Sequence, residues 1–157
     1  MLGKYIIRGF IYMGRGYREN DSRRYFDWLF HSNVDFLAAK NLFHDERCYT
    51  AAAFHCQQCI EKALKGYLLF KKRKLFDGHN LTWLCKQATE CDTHFQQWLS
   101  KSTALNRFYI ETRYPADMPL DITTENIEDL INSTSEMLEF ITEQIRFDFV
   151  SYHRRKK

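Results

Sequence analysis

Tyr49 to Lys72 reads YTAAAFHCQQCIEKALKGYLLFKK, 24 residues without Pro and with one Gly, Gly66, near the far end. Apolar residues fall at Tyr49, Ala52, Ala53, Cys56, Ile60, Ala63, Leu64, Tyr67 and Leu68, at intervals of three or four with neighbours between. That spacing predicts an amphipathic helix with a broad buried face. Ala and Cys dominate its first half, so another helix can approach closely there. The opposite face carries His55, Gln57, Gln58, Glu61, Lys62 and Lys65, and Glu61 and Lys65 stand in the favourable i,i+4 order. Lys71-Lys72-Arg73-Lys74 follows where a helix C-terminus welcomes positive charge.

The flanks repeat the helical pattern. Asp21 or Ser22 can cap a helix running to Phe43, with Tyr25, Phe26, Trp28, Leu29, Phe36, Leu37, Leu42 and Phe43 on its apolar side. His44 to Arg47 is a short polar connection, which makes the next helix an antiparallel neighbour. Asp77-Gly78 breaks the chain, and Asn80 can cap a shorter helix with Leu81, Leu84, Cys85 and Ala88 inward. Asp92 or Thr93 starts a fourth helix that weakens near Ser100–Thr103 and stops before Pro115. Thr123 or Thr124 starts the last, striped by Ile127, Leu130, Ile131, Thr134, Leu138, Ile141, Ile145 and Phe149. The predicted fold class is all-α, an antiparallel bundle of about five helices over residues 21–150. A basic extension (1–20) precedes it and a basic tail (151–157) follows.

Composition supports this reading. The 157 residues are 45 % apolar and 16 % aromatic, with two Pro and six Gly. That is ample for one core and poor in turns for a β fold. The net charge of +3 is uneven. Residues 1–24 carry six bases and two acids, residues 146–157 five bases and one acid, and the middle is mildly acidic. Basic ends can hold phosphates or stay solvated. Arg8 interrupts the apolar start, which argues against a secretory leader, and no stretch has the roughly 18 apolar residues of a membrane span. Five Cys without scaffold spacing point to reduced thiols and a cytoplasmic protein. Cys56-x-x-Cys59 lies inside a helix, not on a metal-binding turn, so buried core thiols are expected and no metal or cofactor. The many large rings exceed what five helices enclose easily, so a stripe on the first or last helix is expected to face a second copy.

Three motifs in order go beyond a generic bundle: AAAFHCQQCIEKALKGYL, then Gly78-His79-Asn80-Leu81-x-x-Leu84, then Tyr109-Ile110-Glu111-Thr112-Arg113-Tyr114-Pro115. Together they resemble the HEPN family, the higher eukaryotes and prokaryotes nucleotide-binding domains, from about Tyr25 to Ile145. The resemblance implies an antiparallel helical bundle, commonly a homodimer. Many members stand beside a minimal nucleotidyltransferase in toxin–antitoxin or defence modules. Others are metal-independent endoribonucleases marked by Arg, four to six residues, then His.

At Arg113 that nuclease signature is not met. No His occurs between Arg113 and Thr123, and the next is His153. The chain is therefore expected to be a binding or regulatory module rather than an enzyme, with a ribonuclease of rearranged active site as the alternative. In that alternative Arg113 would steady the phosphorane and His79 would move protons. The candidate ligand-binding set is Gln58, Glu61, Lys62 and Lys65 on the second helix, His79 at the next helix start, and Arg113 with Tyr114 in the loop. Arg113 could grip a phosphate, Lys65 add a point charge and Tyr114 stack on a base. The opposing reading makes the same cluster a buried network that fixes helix register. The two differ geometrically: the site requires the polar face to point towards Arg113 and not into open solvent.

Overall fold

A computed structural model describes residues 22–108 and 122–154, with side chains to residue 146. Five α-helices lie among them and no strand: α1 (Tyr25–Leu42), α2 (Tyr49–Lys72), α3 (Leu81–Thr89), α4 (Leu99–Asn106) and α5 (Thr124–Arg154). Short 3-10 turns cover Glu46–Cys48 and Thr93–Trp98.

Three starts are capped by the residues the sequence offers, whereas α1 begins at Tyr25 behind Arg24 with no side-chain cap, not at Asp21 or Ser22. Asn80 accepts a hydrogen bond from the Trp83 backbone N–H at 2.9 Å, and Asp92 accepts from His94 N–H at 2.9 Å. Thr123 Oγ1 accepts from Asn126 N–H at 3.2 Å. These bonds satisfy donors that the first helical turn leaves unpaired. The fourth segment differs from its expected single helix. Its first six residues stay in 3-10 form, and the α-helix begins only at Leu99.

α2 is the central stave, and fifteen of its 24 residues are buried. α1 runs antiparallel to it, with Ser32 Oγ donating to Cys59 O at 2.7 Å and Gly66 meeting the opposite end of α1. A Cβ on Gly66 would sit 3.0 Å from Tyr25 O and 3.2 Å from Trp28 Cβ, so glycine permits this close approach. α5 lies along another side and runs in the same direction as α2. Tyr49 OH donates to Thr124 Oγ1 at 3.1 Å near one end, and the Tyr67, Phe95 and Phe140 rings pack in series, tilted and then edge-on, near the other.

One face differs from the sequence expectation, and a second is decided by the packing. Leu37, placed on the apolar side of α1, is exposed, as are Phe30 and Val34 beside it. α1 instead buries Asp27, Ser32, Asn33 and Asp35 with Leu29 and Ala39. On α2 the polar face is not a solvated one: Gln57, Glu61 and Lys65 are buried. The side of α2 that periodicity leaves polar is covered by α1 and by residues 73–80, which double back from Lys72 to reach Glu61.

Candidate functional site

The return of residues 73–80 along α2 creates the cluster. Arg73 ends α2 in the left-handed conformation, φ 55°, and Gly78 follows at φ 130°. The chain then delivers His79 to Glu61, 18 residues earlier in sequence, with Nδ1 2.9 Å from Oε1. The same oxygen accepts from Lys65 Nζ at 3.1 Å. Oε2 accepts from Gln57 Nε2 at 3.2 Å, with Gln58 Nε2 at 3.5 Å, and Gln58 also donates to Gln57 Oε1 at 2.7 Å. Glu61 and Lys65 side chains are 5 % and 7 % exposed, whereas His79 is 54 % exposed. A buried carboxylate, balanced by a buried ammonium that also lies 5.6 Å from the Trp28 ring, thus holds an imidazole at the surface.

Of the seven residues named from sequence, four come together here: Gln58, Glu61, Lys65 and His79. Lys62 does not join them. It turns to α1 and donates to Asp35 Oδ2, whose Oδ1 lies 2.9 Å from His55 Nδ1. Arg113 and Tyr114 lie outside the described residues. Sequence reading missed Gln57, which supplies a donor one turn before Glu61, and the Asp35–His55 pair. The i,i+4 spacing of Gln57 to Glu61 was a usable signal. Nothing in the sequence linked Asp35 to His55.

A second tie bears on Arg113. The Leu81 backbone N–H donates to Asn106 Oδ1 at 2.8 Å, which holds the start of α3, two residues after His79, against the end of α4. A half-open cleft of about 320 Å³ lies on another side of α4, against α5. Arg107, Phe108, Asn126, Asp129 and Ser133 are among its lining residues, and none of the five named residues that are described lines it.

Thiol chemistry is quiet here. Burial pushes the Cys56 thiol up to about 12 and Cys59 higher still; Ser32 Oγ, 3.4 Å from Cys59 Sγ, offsets little. Among the described residues no group of three or more His, Cys, Asp or Glu side chains converges as a metal site would require. No helix among them is long and apolar enough to cross a membrane.

Comparison with known proteins assigns the family. The HEPN domain profile matches residues 25–145. A crystal structure of an archaeal HEPN homologue superposes with a TM-score of 0.60 at 27 % identity, covering 78 % of this chain and 98 % of the other. No curated protein sequence matches. With most of its length inside the matched domain and an all-helical fold shared with a solved member, the chain belongs to the HEPN family.

Proposed function

We propose that this HEPN protein binds a nucleotide or an RNA end at the mouth of the Glu61–His79 cluster, as the regulatory partner of a minimal nucleotidyltransferase in a toxin–antitoxin or defence module. The observation that carries the reading is the Asn106–Leu81 bond. It sets His79 beside the end of α4, and Arg113 follows Phe108 by only five residues, which span at most roughly 17 Å. That length of chain, in this reading, carries Arg113 and Tyr114 to His79. In this reading His79 and Gln58 offer hydrogen bonds, Lys65 contributes its charge from below, Arg113 takes phosphate and Tyr114 takes the base. Lys62 acts only through Asp35, by fixing α1.

The Glu61–His79 contact also keeps the endoribonuclease reading in view. A carboxylate that fixes one imidazole nitrogen orients the other for proton transfer, which is how a general base is held. The module is proposed to act as a homodimer, with the exposed Phe30, Val34 and Leu37 stripe of α1 as the contact face.

One pair of measurements tests both readings. Melting the full chain against a panel of nucleotides should raise the midpoint for one class. A ligand at 100 times its dissociation constant adds roughly 2.7 kcal/mol. The shift should vanish in Arg113→Ala and in His79→Gln. A flat panel refutes the pocket. Cleavage of total RNA by the wild type, lost in both variants, would replace regulation with catalysis.

A further inference from the structure

Beside that cluster, on the same return of residues 73–80, the corner between α2 and α3 gathers charge and rings. Residues 71–90 carry five bases (Lys71, Lys72, Arg73, Lys74 and Lys86) and two acids (Asp77 and Glu90), a local net of +3. The domain around it, 25–145, has 12 bases and 17 acids. Within the corner one phenyl ring is the hub. Phe76 has Lys72 Nζ at 5.5 Å, Lys74 Nζ at 5.9 Å and the Trp83 ring at 5.7 Å from its centroid. Trp83 stands at the surface, 40 % exposed. Phe76 supports its ring, and Gly78 passes so close that a Cβ there would lie 3.4 Å from Trp83 Cζ3. Arg73 keeps a left-handed φ of 55° where glycine would be relaxed, and Arg73, Lys74 and Lys86 are exposed.

An exposed indole packed on a phenyl ring that carries two ammonium groups is an arrangement that suits a single-stranded nucleic acid: bases stack on the indole and phosphates meet the neighbouring ammonium and guanidinium groups. We infer that the α2–α3 corner is a docking surface for single-stranded nucleic acid, with Trp83 as the stacking platform and Arg73, Lys74 and Lys86 as phosphate contacts. Lys72, held by Glu90 at 2.8 Å and near Gln87 at 3.4 Å, shapes the surface more than it binds. The acidic remainder of the domain repels a polyanion elsewhere, which directs the strand to this corner. The inference does not depend on the Glu61–His79 reading, because none of its contact residues belongs to that cluster.

The test is fluorescence anisotropy of labelled U20, dT20 and a 20-base-pair duplex with the full chain across a salt series. Both single strands should bind more tightly than the duplex, and the ratio of U20 to dT20 reports whether RNA or DNA is preferred. Lys74→Glu with Lys86→Glu, two exposed positions, should weaken binding by about tenfold or more and flatten the salt dependence by roughly 0.7 per lost contact. Trp83→Leu should cost about tenfold, and Trp83→Phe should recover most of it. Arg47→Gln, which removes an exposed base at the other end of α2, should leave oligonucleotide affinity unchanged. Retained affinity in Lys74→Glu/Lys86→Glu would place binding on the basic chain ends and overturn the inference. So would equal affinity for the duplex, equal competition by poly-glutamate, or a Trp83→Leu protein that melts normally and binds as the wild type.

Discussion

Replacing Glu61 by Gln keeps the side-chain volume and removes one charge, so it isolates what the buried carboxylate does. Its partner Lys65 is 7 % exposed and would stay buried without a counter-ion. Removing one member of a buried pair costs about 3–5 kcal/mol, because the survivor is left desolvated. The Trp28 ring at 5.6 Å returns part of this, about 0.5–2 kcal/mol for a desolvated cation over an aromatic face. All four donors now directed at Glu61 lose a charged acceptor, and two of them meet an NH2 donor in place of an oxygen. The expected net loss is about 2–4 kcal/mol, or roughly 4–16 °C in melting temperature for a domain of this size. Urea unfolding at fixed protein concentration measures it, and Lys65→Met measures the other side. The double variant Glu61→Gln/Lys65→Met buries no lone charge and should be markedly more stable than the sum of the singles predicts. If each single costs under about 1 kcal/mol, or the double costs the full sum, the pair is not the buried unit described here.

Two other outcomes follow from burial and exposure. In the native protein at pH 8 a thiol reagent should modify Cys48 first and Cys91 more slowly, while Cys56, Cys59 and Cys85 react only after unfolding. Burial raises the thiol pKa of Cys56, Cys59, Cys85 and Cys91, so little thiolate forms at that pH. Rapid native modification of three or more thiols would contradict this. Val34→Glu, in the middle of the exposed α1 stripe, should convert a dimer to a monomer by light scattering without lowering the helix content; an unchanged mass would move the interface elsewhere.

The sequence was most readable where one partner dictates one pattern. α2 has exactly the bounds its stripe predicts, Tyr49 to Lys72, because its Ala, Cys, Ile and Leu positions all answer to packed neighbours. The caps at Asn80, Asp92 and Thr123 were legible because a capping side chain acts on N–H groups two or three residues away. α1 was less readable. Nearly every turn of it is apolar on more than one side, so periodicity could not say that Leu37 stays outside while Asp35 and Ser32 go in. What draws Asp35 inside is a pair of α2 side chains, His55 and Lys62, and that attraction has no signature within α1 itself. For the same reason spacing could not say how deeply Lys65 lies. Its burial depends on a loop that doubles back, and loop direction is not written in hydrophobic spacing. Trp83 was counted among core or interface rings, and the basic run before it as a helix terminus. Only the Phe76 ring, seven residues from Trp83, joins the two into one surface.

The network reading and the site reading of Glu61 are not rivals at the level of geometry, since a carboxylate that fixes helix register also fixes His79. They separate on which side chain can be lost. Removing Glu61 frees a buried ammonium, so any loss of ligand binding in Glu61→Gln is confounded with instability. His79 is more than half exposed, and Glu61 keeps Lys65 and Gln57 when it goes. His79→Gln should therefore melt within about 1 kcal/mol of the wild type, as substitutions at exposed positions usually do. A ligand-induced shift that disappears in a variant of unchanged stability assigns His79 to binding. A variant that loses several kcal/mol and still binds assigns the imidazole to the register of the bundle.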